Sequence, residues 1–241
     1  MSDQMADQMT ARCGLPLLQP AQAQKHVTVN DALSRLDGLV NLTLESVSRT
    51  EPPAAVADGL SWGVPVNAVN AWEGRAGLIA TGANGGWVFT APRAGQRAFV
   101  RDRGVTAVHD GGAWALGALS LGASGSGLCA GMGEAEVEVS AGTVVESGLW
   151  IPGAVMVIGC TARVVEPITG TLLSWSLGTV GAADRFGSGL GLGQGSWARG
   201  MLSQPMTYWE PANLRLTASG GAFTGGRVRL AARWLELRLP G

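Results

Sequence analysis

The side chains of this 241-residue chain that could do chemistry are aromatic residues that stand next to polar ones. A sugar ring presents a flat C–H face that stacks on an aromatic ring, and its hydroxyl groups exchange hydrogen bonds with Asp, Glu, Asn and Arg side chains. Three short segments combine these types. The residues that we predict to bind glycan are Asp184, Arg185, Trp197, Arg199, Tyr208, Trp209 and Glu210. The alternative for each aromatic residue is a place in the hydrophobic core.

Carboxylates are the groups that a polysaccharide-cleaving enzyme would need, because glycoside hydrolysis uses two of them roughly 5–9.5 Å apart. Glu136 and Glu138 share one face of a predicted strand, which is also the pattern of a solvated strand face. Asp184 precedes Arg185, and we interpret it as a residue of a structural turn or a ligand hydrogen-bond site rather than as a general acid. The sequence therefore predicts no enzymatic activity, with a polysaccharide depolymerase as a less favoured alternative.

Other catalytic and cofactor signatures are missing from the sequence. The two histidines, His26 and His109, accompany no nucleophile motif such as GxSxG. Cys13, Cys129 and Cys160 stand far apart without CxxC spacing, which predicts free or buried thiols. The run GSGLGLGQGS lacks the Lys-Ser/Thr ending of a phosphate-binding loop, and no EF-hand calcium loop is present. We expect no cofactor and no metal.

Composition argues against two further classes of partner. Charged residues make up 15% of the chain, the net charge is −1, and the loose run Arg97, Arg101 and Arg103 is not a basic stripe, so we expect no nucleic acid. No segment approaches the roughly 18 apolar residues of a membrane span, and the polar N-terminus does not resemble a secretory signal. We expect a protein made in the cytoplasm, which must leave by lysis or as part of a particle if it acts outside the cell.

The elements that must position the predicted glycan site are strands. The 37 glycines follow no triplet period, which fits tight turns between short strands. Successive alternating segments over residues 135–241 predict a β-sandwich of jelly-roll type. In its last strand, the apolar pattern changes phase at Ala231 and Ala232, which predicts a bulge. Residues 117–134 are rich in Gly, Ser and Ala, which predicts a linker.

The N-terminal half divides into three predicted parts. Residues 1–14 are polar and repetitive, which predicts a flexible tether. Residues 15–50 contain a predicted helix, with Thr28 as N-cap. Residues 58–116 carry Asn-Gly and Asp-Gly turn signals, each followed by tryptophan, which predicts a small tryptophan-rich β domain.

The predicted helix carries a narrow apolar seam of four residues. Their spacings of four, three and four suit either pairing with other copies of the chain or packing on its own domain. The seam, which we predict to serve oligomerisation, consists of Val29, Leu33, Leu36 and Val40. The fold class predicted from these patterns is mainly β, with a short N-terminal helix, a small β domain and a C-terminal jelly-roll-like sandwich.

Several long segments resemble a known family. PLLQPAQAQKHVTVNDALSRLDGLVN, AWEGRAGLIA and GGWVFTAPRAGQRAFVRDRG are similar to an uncharacterised domain family of alphaproteobacterial prophages and gene transfer agents, over about residues 15–116. WIPGAVMVIGCTARVVEPITG and GGAFTGGRVRLAARWLEL resemble the domain that follows it in tail-fibre and head-spike proteins.

The resemblance implies a homotrimeric fibre or spike subunit of a phage-like particle. Its N-terminal region would dock on particle proteins, and its distal domain would adhere to capsular or other cell-surface polysaccharide of the host. A second possibility is a purely structural connector of the particle without glycan binding. In that case the aromatic side chains of the C-terminal sandwich would all be buried.

Overall fold

The computed structural model describes residues 9–18 and 25–241 of the chain. These residues form one α-helix and several β-sheets, which confirms the mainly β fold class. The chain divides into two compact units, residues 1–118 and 119–241.

The first unit contains a helix, a 3₁₀ turn and seven strands. Their bounds are α1 (Lys25–Leu39), β1 (Thr43–Leu44), β2 (Ser61–Gly63), the 3₁₀ turn (Asn70–Trp72), β3 (Ile79–Ala83), β4 (Gly86–Thr90), β5 (Arg97–Val100), β6 (Val105–His109) and β7 (Trp114–Leu116). One sheet has the order β1-β5-β6-β7 and the other β2-β3-β4. β1 lies within residues 15–50, so the β part of this unit begins earlier than the predicted residue 58.

Three tryptophans form the core of the smaller sheet. The rings of Trp62, Trp72 and Trp87 contact one another with centroids 5.2–6.0 Å apart, and two of the three pairs are edge-to-face. Asn84 and Gly85 both have positive φ between β3 and β4, as a tight hairpin turn requires. This hairpin places Trp87 against the other two rings, as the Asn-Gly signal predicts.

Asp37 fixes residues 10–13 on α1. Its buried carboxylate accepts hydrogen bonds from the hydroxyl of Thr10 (2.8 Å) and from the backbone N–H groups of Arg12 (2.9 Å) and Cys13 (2.6 Å). Burial raises the pKa of Asp37, but these hydrogen bonds outweigh it and hold the pKa below its usual value. Residues 9–14 therefore do not form the predicted tether, because Asp37 satisfies their polar groups. Residues 1–8 lie outside the described residues.

The helix differs from its prediction at its start. It begins at Lys25, so Thr28 lies inside it and is not the N-cap. The capping-box pattern calls for Glu or Gln three residues after the cap, and Asp31 is one methylene shorter. Of the predicted seam, Val29, Leu36 and Val40 are exposed in this chain and Leu33 is half-buried. Oligomerisation through the seam stays a prediction.

The second unit consists of strands alone among its described residues. Their bounds are β8 (Ala118–Leu121), β9 (Gly127–Glu138), β10 (Val144–Ile151), β11 (Val155–Gly170), β12 (Ser174–Thr179), β13 (Ala182–Leu190), β14 (Trp197–Tyr208), β15 (Ala212–Ser219) and β16 (Phe223–Arg238). They form a five-stranded sheet of order β14-β11-β16-β9-β8 and a four-stranded sheet of order β10-β15-β12-β13.

The strand pairing of the second unit is that of a jelly roll. β9 pairs with β16, β10 with β15, β11 with β14 and β12 with β13, all antiparallel. The four pairs are nested in sequence, as in one long antiparallel ribbon rolled into two sheets. Inward-facing residues of both sheets, such as Val157, Leu230, Leu177 and Leu216, form one buried core. The predicted jelly-roll sandwich is therefore present.

Residues 117–134 form strands where the sequence predicts a linker. β8 and the first part of β9 lie within this segment. Gly131 is the register partner of Trp234, and a Cβ on Gly131 would overlap the Trp234 indole ring. The glycine is therefore needed for packing rather than for flexibility, and composition alone does not separate these two causes.

β16 runs without the predicted bulge. Its pairing with β9 is continuous from Arg227 to Arg238, and Val228, Leu230, Ala232 and Trp234 all face the core. Register shifts lie instead in the pairing of β16 with β11, and the one nearest Ala232 falls between Val157 and Gly159 of β11. Ala232 continues the alternation of inward-facing side chains, because a small side chain is enough to fill that place in the core.

We expect Gly131→Ala to lower the free energy of unfolding by about 1–3 kcal/mol, because the new methyl group must displace the Trp234 ring. Denaturant unfolding followed by tryptophan fluorescence measures the effect. Gly193→Ala is the matched control, since a Cβ there meets only ordinary contact at 4.0 Å. Equal stability of the two variants would show that Gly131 belongs to a flexible linker after all.

We expect Asp37→Asn to accelerate alkylation of Cys13 by iodoacetamide at pH 8. A hydrogen bond to Asp37, with burial and the Asp37 charge, raises the pKa of the exposed Cys13 thiol. The substitution removes the anion that opposes the thiolate. Asp31→Asn, an exposed position on the same helix, is the control. Unchanged Cys13 reactivity in Asp37→Asn would contradict the contact between Asp37 and Cys13.

Candidate functional site

The outer face of the five-stranded sheet carries two rows of chemically active side chains. Antiparallel registers place Trp197 beside Arg163, Arg163 beside Arg229, and Arg229 beside Glu136. Because adjacent strands are about 4.8 Å apart, this first row crosses four strands in about 14 Å. An aromatic ring, two guanidinium groups and a carboxylate thus stand side by side.

The second row lies two residues further along each strand, and its two central side chains are short. Its members in register are Arg199, Thr161, Ala231 and Glu134. Thr161 and Ala231 are small, whereas their neighbours on both sides are long. The result is an open depression of about 720 Å³ on the sheet, lined by residues of both rows. Its size is that of a small-ligand site.

The carboxylates of the depression are already paired with arginine. Glu136 accepts hydrogen bonds from Arg229 (2.6 Å) and Arg227 (3.1 Å), and Glu134 forms an ion pair with Arg233 (3.3 Å). The bond from Arg229, and then that from Arg227, hold the pKa of Glu136 below its usual value. Glu136 is therefore ionised at neutral pH.

Arg163 and Arg199 lack such partners. Within the described residues, neither forms a hydrogen bond or an ion pair with a carboxylate. Arg163 lies directly opposite Arg229, and like charges in that position repel. Arg229 is compensated by Glu136, so the uncompensated positive charge of the depression is on Arg163 and Arg199. Both side chains are exposed and free to meet a ligand.

Trp197 supplies the aromatic surface of the site. It begins β14 and is 65% exposed. The guanidinium carbon of Arg199 lies 5.7 Å from its ring centroid, a cation–π distance. Since the two residues are two apart on one strand, their side chains share the outer face. A planar apolar surface and a cation are thus presented together.

The structure separates the seven predicted glycan-binding residues into two places. Trp197 and Arg199 lie in the depression. Tyr208 ends the same strand. It pairs with Val155, whereas Trp197 pairs with Arg163, so the two aromatic residues are about 26 Å apart along β11. Tyr208, Trp209 and Glu210 therefore cannot share that site. Trp209 is 78% exposed and Glu210 is exposed, whereas Tyr208 packs partly against the core.

Asp184 and Arg185 belong to β13 of the other sheet. Arg185 donates to the sulfur of Met206 at 2.7 Å, near the Tyr208 end of β14. Asp184 is exposed. The two residues therefore lie away from Trp197.

Arg163, Arg229 and Glu134 are site residues that the sequence prediction missed. The signal was the alternation in ARVVEP and RVRLAAR, which places arginines opposite buried valines and leucines. Which arginines become neighbours depends on strand register, and the sequence did not give that register. Trp150, 57% exposed on the other sheet, was also missed.

The remaining reactive residues lie apart from the depression. Burial raises the pKa of the Cys160 thiol to about 12, and burial raises that of Cys129. His109 is buried, with its ring 5.0 Å from that of Trp114. No group of three or more His, Cys, Asp or Glu residues that could hold a metal ion occurs in the described part of the chain.

A membrane-spanning helix is not found among residues 9–18 and 25–241. None of the described helical segments has both the length and the apolar character that crossing a bilayer requires.

Comparisons with known proteins give a partial match. Residues 29–115 match the family described as "Protein of unknown function (DUF2793)", within the range 15–116 of the resemblance noted from the sequence. No curated protein matches the chain.

A solved structure, "Cyanophage Pam1 capsid asymmetric unit", is 18% identical and covers 44% of this chain and 84% of that chain, with a TM-score of 0.35. A similarity of this extent is too low to indicate a function.

We expect the carboxyl signal of Glu136, followed by carbon NMR, to titrate below the usual glutamate midpoint, and Arg229→Gln to raise that midpoint. The hydrogen bond from Arg229 favours the charged form of Glu136, so its loss makes protonation easier. Arg233→Gln, which removes the partner of Glu134 instead, should leave the Glu136 midpoint in place. An unchanged midpoint in Arg229→Gln would contradict the pairing.

Proposed function

We propose that the protein is a non-enzymatic adhesin that binds cell-surface polysaccharide through the outer face of its five-stranded sheet. The observation that carries the proposal is the exposed Trp197 ring beside Arg199 and Arg163 in one open depression. Aromatic stacking together with hydrogen-bond donors is the chemistry that recognises sugars. An exposed tryptophan has no role in the core of its own chain.

The context that we propose is a fibre or spike of a phage-like particle, such as a gene transfer agent or prophage. The support for it is the resemblance of the segments quoted from the sequence. The N-terminal unit would attach to particle proteins, and copies of the chain would assemble into a homotrimer. Several equal sites on one trimer, and many trimers on one particle, would raise a weak single-site affinity into firm attachment.

The same depression bears on the enzymatic alternative. Glu134 and Glu136 are two residues apart on one strand face, hence about 7 Å apart, which falls within the range for glycoside hydrolysis. Glu136, however, has a lowered pKa and two arginine donors, so it is unsuited to donate a proton. Glu134 is also paired with an arginine. These pairings support a binding role rather than cleavage.

A structural connector is the second candidate, and one surface favours it. Beyond the charged rows, Leu237 on β16 is 70% exposed and lies beside Leu128 of β9, so this end of the outer face is apolar and could be covered by another protein. However, a connector without glycan binding predicts buried aromatic residues in the sandwich. Trp150, Trp197 and Trp209 are exposed, which supports the adhesin.

The test is binding of the protein, displayed multivalently on beads, to an array of purified neutral and acidic bacterial capsular polysaccharides. We expect binding to at least one of them. Trp197→Ala should weaken binding about tenfold or more, because each site loses stacking worth about 1.4 kcal/mol. Released reducing sugar, assayed in parallel, should stay at background.

Trp150→Ala is the matched control, since it removes a tryptophan of similar exposure on β10 of the four-stranded sheet, outside the seven predicted glycan-binding residues. We expect it to bind as the wild type does. Absence of binding to every polysaccharide would contradict the adhesin and favour the connector. Release of reducing sugar would instead show a depolymerase.

A further inference from the structure

We propose that the polysaccharide bound at this site is acidic, and that its oxyanion is held by Arg163 and Arg199 while the adjoining sugar ring stacks on Trp197. The inference rests on the proposed function, since it names the class of glycan that the depression takes. Nothing in the family match or in the structural comparison assigns such a site.

The first support is the position of the two arginines. Arg163 is in register with Trp197, and Arg199 with Thr161, so Arg163 and Arg199 are diagonal neighbours about 7–8 Å apart at their backbones. Arginine side chains can converge over that distance on one oxyanion above Thr161. Guanidinium groups match carboxylate and phosphate oxygens with two parallel hydrogen bonds.

The second support is the charge balance of the depression. The nearby carboxylates are satisfied: Glu136 by Arg229 and Arg227, Glu134 by Arg233. Glu166, on the same strand as Arg163, is paired with Arg227. Both carboxylates that line the depression, Glu134 and Glu136, are therefore engaged by arginines other than Arg163 and Arg199. An anion from outside the chain would do so.

The third support is the position of two arginines opposite each other in the sheet. Arg163 and Arg229 stand directly opposite each other on adjacent central strands, where like charges repel. An oxyanion bound at Arg163 relieves that repulsion, so the ligand-free sheet is prepared for an anion. A neutral sugar would leave the repulsion in place.

The fourth support is the floor between the rows. Thr161 and Ala231 are short, so the space between Arg199 and Glu134 stays open for a ligand. Larger side chains at either position would fill it. The aromatic ring, the cations and the open floor thus lie within one surface rather than in separate places.

The experiment measures binding of the full-length protein, again on beads, to four kinds of polysaccharide. Two of them are uronate-bearing capsular polysaccharides and the same polysaccharides after chemical reduction of their carboxyl groups. The other two are phosphodiester-bearing polysaccharides and neutral dextran. We expect binding to one acidic class and not to dextran. A uronate ligand is shown by about tenfold weaker binding after carboxyl reduction, and a phosphodiester ligand by binding to that class alone. Binding should also weaken with salt, as exposed charge pairs do.

Variants then assign the interaction to the two arginines. Arg163→Gln and Arg199→Gln should each weaken binding to the acidic polysaccharide about tenfold. Arg163→Lys, which keeps the charge but not the planar fork, should recover only part of the loss. Arg97→Gln, an exposed arginine of the first unit, is the control for net charge and should bind as the wild type does.

The outcomes separate this inference from the proposed function. Two outcomes would overturn the acidic ligand: reduction of the carboxyl groups does not change binding to a polysaccharide that the protein binds, or the protein binds dextran equally well. If Trp197→Ala still weakens binding in either case, the proposed adhesin is retained. Full binding by Arg163→Gln and Arg199→Gln would also overturn the acidic ligand. Binding to none of the polysaccharides would overturn both. The four arginine variants should retain the wild-type unfolding midpoint, so that loss of binding is not loss of fold.

Discussion

The pairing of β11 with β16 is the constraint on which the rest of the second unit depends. These are its two longest strands, and they lie side by side at the centre of the five-stranded sheet. Their register puts Val164 and Val228 into the core and, one residue away, Arg163 and Arg229 on the outer face. A slip of one residue in either strand would bury an arginine and expose a valine, at a large cost in free energy. The core therefore fixes the site.

Because the core fixes the register, the outer face can carry repelling charges. Exposed ion pairs contribute little to stability, typically below about 1 kcal/mol, so the pairs between Glu136 and its arginines serve mainly to order the side chains. What matters for recognition is which arginines remain without a carboxylate. Of the three arginines that line the depression, Arg163 and Arg199 have no carboxylate partner among the described residues, and both are beside the exposed ring of Trp197.

The sequence predicted the fold class and the jelly roll because both follow from local alternation and glycine turns, and nested pairing is the common solution for eight such strands. The prediction of a linker around Gly131 was wrong, because a segment whose glycines are needed for packing against Trp234 has the same composition as a flexible linker. The sequence prediction was also wrong at Asp37, whose partners are about 25 residues away in the chain. Both errors concern long-range contacts.

The candidate site was predicted in part for the same reason. Trp197 and Arg199 are neighbours on one strand, so the sequence alone placed them together. Arg163, Arg229 and Glu134 join them only through the pairing of four strands, and no local pattern gives that register. Tyr208 and Trp209, although close in sequence to Trp197, lie at the opposite end of a long strand.

The most direct test of whether glycan binds at Trp197 is NMR of the indole N–H signals while the protein is titrated with a capsular polysaccharide that it binds. The chain has nine tryptophans, each with one resolvable indole signal that substitution can assign. We expect the Trp197 signal to shift on binding while those of Trp150 and Trp209 stay in place. A shift of the Trp150 or Trp209 signal with the Trp197 signal unchanged would show that the ligand binds elsewhere and would contradict the proposed site.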